Sequence, residues 1–67
     1  MNAFGEKIKE LRTEKGLTQK QLALLLHTTD DSIYSWEKES CQPSIETLKK
    51  LCEIFGVSAD YLWGFDD

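Results

Sequence analysis

Apolar residues recur along the chain with the period of an amphipathic helix, in stretches separated by short breaks. Phe4, Ile8 and Leu11 stand at i, i+4 and i+7, which puts them on one face of a helix over residues 3–15. Between them Glu6, Lys7, Lys9, Glu10, Thr13 and Glu14 are expected to form its solvated face. Gly16 supplies the residue that can take the left-handed conformation ending a helix, and Leu17 turns the chain back towards the core. Thr18 opens a second helix, with Gln21 three residues on, where a capping box wants Glu or Gln. Leu22, Ala23 and Leu26 share its apolar face. His27-Thr28-Thr29 interrupts the pattern before Ile33 and Trp36 resume it three residues apart. Thr29 is placed to cap this third helix, which makes Asp30 and Asp31 its first residues. A fourth helix follows Ser44, with Glu46 in its first turn and Ile45, Leu48, Leu51, Cys52 and Phe55 along its apolar face. Gly56 ends it. Ser58 caps a fifth with Asp60 behind it, and Val57, Tyr61 and Leu62 close over the core. The pattern predicts an all-α, five-helix fold.

Within it, residues 18–37, TQKQLALLLHTTDDSIYSWE, read as two short helices joined by a tight turn. Ala23 is the small residue that lets two helices approach closely where they cross steeply. Gln19, Ala23, Ile33 and Trp36-Glu37 resemble the helix-turn-helix of the phage repressor and Cro type of DNA-binding domain, the XRE-like family with the lambda-repressor-like fold. The resemblance runs outward through FGEKIKELR (residues 4–12), Gly16-Leu17-Thr18-Gln19, Pro43-Ser44 and GVSADYLWG (residues 56–64), in the family's order. It implies one domain over residues 1–67, a helix-turn-helix at about 18–38, and a sequence-specific transcriptional regulator. Its recognition helix, at about 30–38, would enter the major groove of double-stranded DNA. The family's palindromic half-sites lie about 34 Å apart, so the resemblance also implies a homodimer on its operator. Carried over position by position, the DNA-binding set is Gln19, Lys20, Thr29, Asp30, Asp31, Tyr34, Ser35, Lys38, Ser40 and Gln42. Arg12 is expected to pair with Glu37, tying the first helix to the third.

Departures from the family pattern carry their own physics. His27 stands where the family usually has glycine, and histidine is among the non-glycine residues that tolerate positive φ. Leu24 and Leu25 replace charged side chains; at about 100° per residue Leu24 falls opposite the core face, either simply exposed or a contact for a partner. Asp30 and Asp31 occupy positions that in the family face base edges. There they complement the helix macrodipole by about 0.3–1 kcal/mol each. Towards DNA they repel phosphates and can accept hydrogen bonds chiefly from cytosine N4 or adenine N6. Tyr34 and Ser35, one turn on, can contact bases without repulsion. In the loop after Glu37 only Lys38 remains of the family's basic residues, with Ser40, Gln42 and Ser44 able to donate neutral hydrogen bonds to phosphate.

Charge sharpens the same question. Eight basic and twelve acidic residues give a net charge of −4, where DNA-binding domains more often carry a basic surplus. The distribution is lopsided: residues 1–27 hold five basic and three acidic residues, net +2, and residues 28–67 hold three basic and nine acidic, net −6. A local basic rim can still engage phosphates. A chain of 67 residues buries only about 60% of its unfolded surface, so a partner is a natural supplement to its small core. Cys41 and Cys52 form no CxxC and there is one histidine, which argues against a zinc cluster or a disulfide framework and for reduced thiols in a cytosol; the family resemblance implies a cytoplasmic protein of bacterial or phage origin. No export signal or membrane span is expected, nor any cofactor or small-molecule substrate. No nucleophile with a base, paired carboxylates or phosphate loop suggests an enzyme. Three of the seven aromatic residues, Tyr61, Trp63 and Phe65, crowd the last segment. They read either as a lid on the core or, with Leu24, as a dimer contact. A second reading of the whole keeps the fold as a protein-binding or dimerisation module, with Asp30 and Asp31 having cost it the groove.

Overall fold

The computed structural model describes residues 4–63. They form α1 (Phe4–Glu14), α2 (Gln19–Leu26), α3 (Asp30–Glu37), α4 (Ile45–Phe55) and α5 (Ala59–Trp63), with no strand among the described residues. Four of the five begin on a hydroxyl side chain that accepts from a backbone N–H of the first turn: Thr18 from Gln21, Thr29 from Ser32, Ser44 from Thr47 and Ser58 from Tyr61. At α2 the box is complete, because the Gln21 side chain accepts in return from the Thr18 N–H at 2.9 Å. Helix ends are set as locally. Gly16, His27 and Gly56 follow α1, α2 and α4 at φ +70°, +57° and +67°. The expected left-handed histidine is therefore present, and the Thr28 N–H reaches back to the Ala23 carbonyl at 2.9 Å. Glu39 also turns left-handed, at φ +62°, in the loop after α3.

Packing closes the helices into a ring: α2 on α3, α3 on α1, α1 on α5, α5 on α4, and α4 back on α2. Ile8, Leu22, Ile33, Leu51 and Leu62, one from each helix, are fully buried at its centre. Each such side chain is worth about 1.5–3 kcal/mol of transfer from water, so every helix contributes a comparable anchor.

Two side chains depart from the expected faces. Lys7, expected on the solvated face of α1, is 3% exposed. It stands three residues after Phe4, on the seam between α1 and α5, where its stem is covered and its Nζ sits 4.0 Å from the centre of the Tyr61 ring. Ile45, expected on the apolar face of α4, is 75% exposed. It is the first residue of its helix, and side chains lean towards the N-terminus, so it overhangs the layer on which α4 packs. Leu11, Leu48 and Cys52 sit at the margin of the core, half-buried, as does Ile54.

Candidate nucleic-acid interface

Three polar residues fix where the third helix points. The Arg12 guanidinium donates from Nε to Glu37 Oε2 at 2.6 Å and from Nη2 to Oε1 at 3.3 Å, while Nη1 donates to the Leu17 carbonyl at 2.8 Å. Both side chains of the pair are nearly covered, and the two-pronged geometry matches the planar fork of arginine to a carboxylate. Gln19 Nε2 adds a bond to Glu37 Oε1 at 3.0 Å. One carboxylate thus joins α1, the first residue of α2 and the last of α3. Gly5 makes the approach possible. A Cβ there would lie 2.5 Å from the Glu37 carbonyl oxygen and 2.7 Å from that of Trp36, so α1 rests directly on the backbone that ends α3.

Held this way, α3 buries Ile33 and Trp36 and turns Asp30, Asp31, Tyr34, Ser35 and Lys38 the other way. At about 100° per residue these five span an arc of about 140°, one side of the helix. Asp30, Asp31, Tyr34 and Lys38 are exposed and Ser35 is half-buried. Lys38 Nζ lies 5.6 Å from the centre of the Tyr34 ring, at the outer edge of cation–π range. At the helix's start Thr29 is exposed but occupied, capping Ser32 and sharing that residue's hydroxyl at 3.2 Å. Lys20 is exposed in the first turn of α2, and Ser40 and Gln42 are exposed in the loop after α3. Gln19, half-buried, spends one amide hydrogen on Glu37, a commitment that spacing along the chain could not reveal.

The described residues considered as dimer contacts lie on two helices, Leu24 on α2 and Tyr61 and Trp63 on α5. Leu24 is 70% exposed on the outer side of α2, beside the exposed Leu25. Tyr61 lies under the Lys7 ammonium, and Trp63 stacks on Phe4 with ring centres 4.7 Å apart and an interplanar angle of 19°. Those two aromatic residues fasten α5 to α1, as a lid would; Phe65 lies outside the described residues. No group of three or more metal-ligating side chains converges among the described residues, and no helix there is long and apolar enough to cross a membrane.

The family model described as a helix-turn-helix domain matches residues 5–63. The chain is 35% identical over 65 residues to the HTH-type transcriptional regulator ImmR of Bacillus subtilis (strain 168), covering 97% of this chain and 51% of that protein. It spans about half the length, or less, of the curated relatives it matches. Among solved structures it is similar to the P22 c2 repressor, determined in complex with a synthetic operator: TM-score 0.91, 27% identity, 98% of this chain and 100% of that one. It is also similar to the restriction-modification controller protein C.AhdI from Aeromonas hydrophila: TM-score 0.77, 30% identity, 88% of this chain and 86% of that one. The capped pair α2–α3, the left-handed turn between them and a family match across nearly all the described residues lead to one conclusion: the chain belongs to the helix-turn-helix domain family and has the five-helix fold of the phage repressors.

Proposed function

We propose that this chain is the DNA-binding part of a transcriptional regulator of the repressor and Cro type, with α3 entering the major groove of double-stranded DNA. The observation that carries the reading is the exposed side of α3, residues 30, 31, 34, 35 and 38, held beside the start of α2 in a fold like that of a repressor determined on its operator. Gln19, Lys20, Lys38, Ser40 and Gln42 are the phosphate contacts of this proposal, and Thr29, Asp30, Asp31, Tyr34 and Ser35 lie nearest the bases. The regulator acts as a homodimer on a palindromic operator in a bacterial cytoplasm, through an interface that includes Leu24 or the aromatic end of the chain. Fluorescence polarisation with duplexes enriched from a random pool, read at two salt concentrations, tests it. Saturable binding that weakens with salt and prefers enriched over scrambled duplexes is expected; no binding to any duplex at low salt would defeat the reading.

Asp30 and Asp31, both exposed at the leading end of α3, favour one alternative. There the fold serves as a protein-binding or dimerisation module. Retention of a protein partner together with absent duplex binding would select it.

A further inference from the structure

α1 is gripped from two sides. At about 100° per residue Gly5 and Arg12 fall on one side of the helix, and Phe4 and Lys7 on another, about 120° round from it. The first side meets the end of α3. Arg12 holds the Glu37 carboxylate, and a Cβ on Gly5 would stand 2.5 Å from the Glu37 carbonyl oxygen, so backbone lies against backbone there with no side chain between. The second side meets α5. Trp63 stacks on Phe4 with ring centres 4.7 Å apart, and the Lys7 ammonium lies 4.0 Å from the centre of the Tyr61 ring. Lysine is almost never fully buried, yet Lys7 is buried at this seam, where the ring face attracts its charge. Close-packed interiors compress little, so the place of α1 is passed on to whatever it touches. A side chain between α1 and α3 could absorb a small shift by changing rotamer; the bare contact at Gly5 has no such slack.

We infer that Tyr61 and Trp63 are positioning residues for the recognition helix. Acting through Lys7, Phe4 and the body of α1, they set where the end of α3 stands, and with it Lys38 and the Glu37 carboxylate that holds Gln19. Base edges are read only by side chains held within about 0.5 Å of their productive place, whereas contacts to phosphate carry no sequence information. Loosening α5 therefore costs preference between duplexes before it costs binding to any duplex. That consequence rests on the DNA-binding reading above, while the coupling of α5 to α3 is a property of the free chain.

The test compares Tyr61→Leu, Trp63→Leu and Lys7→Met with Tyr61→Phe, which keeps the ring face, and with Leu48→Ala, which loosens the margin of the core on α4. Each variant is measured below its own melting range, by amide NMR of the free chain and by polarisation on enriched and scrambled duplexes. In the free chain the first three are expected to move the Gln19 side-chain amide and the Lys38 and Glu39 backbone amides, none of which lies on the seam between α1 and α5. On duplexes the same three lose several-fold in preference for the enriched sequence, with scrambled binding and salt slope as in the parent. Tyr61→Phe and Leu48→Ala keep the parent's signals at those amides and its preference. Unmoved amides at residues 19, 38 and 39 in Tyr61→Leu and Lys7→Met overturn the coupling whether or not the chain binds DNA. Equal movement in Leu48→Ala makes the effect general loosening and overturns it as well, and so do differences from the parent that vanish on dilution, which assign the aromatic pair to a contact between copies. Moved amides with the parent's preference intact overturn the positioning role and leave the DNA reading standing. A parent that binds no duplex removes the role together with that reading.

Discussion

Gly5 sets the distance between two helices by lacking one methyl group. Alanine is the better helix former by up to about 1 kcal/mol, so local propensity favours Gly5→Ala. The carbonyl oxygens of Trp36 and Glu37, 2.7 and 2.5 Å from where the Cβ would be, oppose it, and neither belongs to a flexible side chain that could move aside. Crowding of this kind costs about 1–3 kcal/mol, so the substitution is expected to lower the denaturant midpoint with little change in slope. A higher midpoint would mean that α1 does not rest on the end of α3. The cysteines give a second test at this scale. Burial pushes the Cys52 thiol above its ordinary value, and the Glu53 charge adds to this while a backbone hydrogen bond opposes it; Cys41 is exposed. Alkylation at mildly alkaline pH is therefore expected to label Cys41 well before Cys52, and equal rates would contradict the packing of α4. His27 was legible in the sequence because its conformation is a local matter, decided where a periodic pattern breaks. The role of Gly5 was not, since it depends on how close a helix thirty residues away comes to it.

Among elements, the tie between α1 and α3 is the one most open to measurement. An exposed ion pair is worth up to about 1 kcal/mol, whereas removing one partner of a covered pair leaves the other charge uncompensated and costs about 3–5 kcal/mol. Arg12 and Glu37 are of the second kind, so Arg12→Ala and Glu37→Ala are each expected to cost about 3 kcal/mol and the double mutant far less than their sum. Additive losses in that cycle would show the two uncoupled. The pair was expected from the family resemblance; the participation of Gln19 was not, because a glutamine opening a helix reads equally well as a solvent or phosphate contact. Caps at Thr18, Thr29, Ser44 and Ser58 were legible for the same reason as His27, being made with residues three positions away. The faces of α1 and α4 were legible except where chemistry or position is ambiguous. Lysine has a long apolar stem as well as a charge, so Lys7 could be placed only once Tyr61 was seen to lie against it. Ile45 is apolar, but it stands where its helix has no neighbour to cover it.

For the whole molecule, the net charge of −4 sets the scale of any attraction to DNA. Long-range steering is weak, and on the proposed reading binding comes from a few exposed cations, Lys20 and Lys38 first among them. On the proposed function, two to four phosphate contacts per subunit give a shallow salt slope, at about 0.9 per contact. Asp30 and Asp31 oppose that attraction from the leading end of α3. Asp30→Asn together with Asp31→Asn is expected to tighten binding to all duplexes alike, and to lower stability slightly as up to about 1 kcal/mol of dipole complementarity is lost at each position. Loss of preference for an enriched duplex, with nonspecific binding spared, would instead mean that the aspartates read cytosine or adenine amino groups. Overall fold and the location of the exposed side of α3 were legible in the sequence, whereas the cleft of Lys9, Arg12, Gln19, Tyr34, Glu37 and Lys38 beside it was not, because it is assembled from three helices that only packing brings together. The most direct test of the central claim is amide chemical-shift mapping of the chain against an enriched duplex. The account predicts the largest shifts in α3 and its capping residue, at the start of α2 and in the loop after α3. Shifts centred instead on Ile45 to Ala59, across α4 and the start of α5, would contradict it.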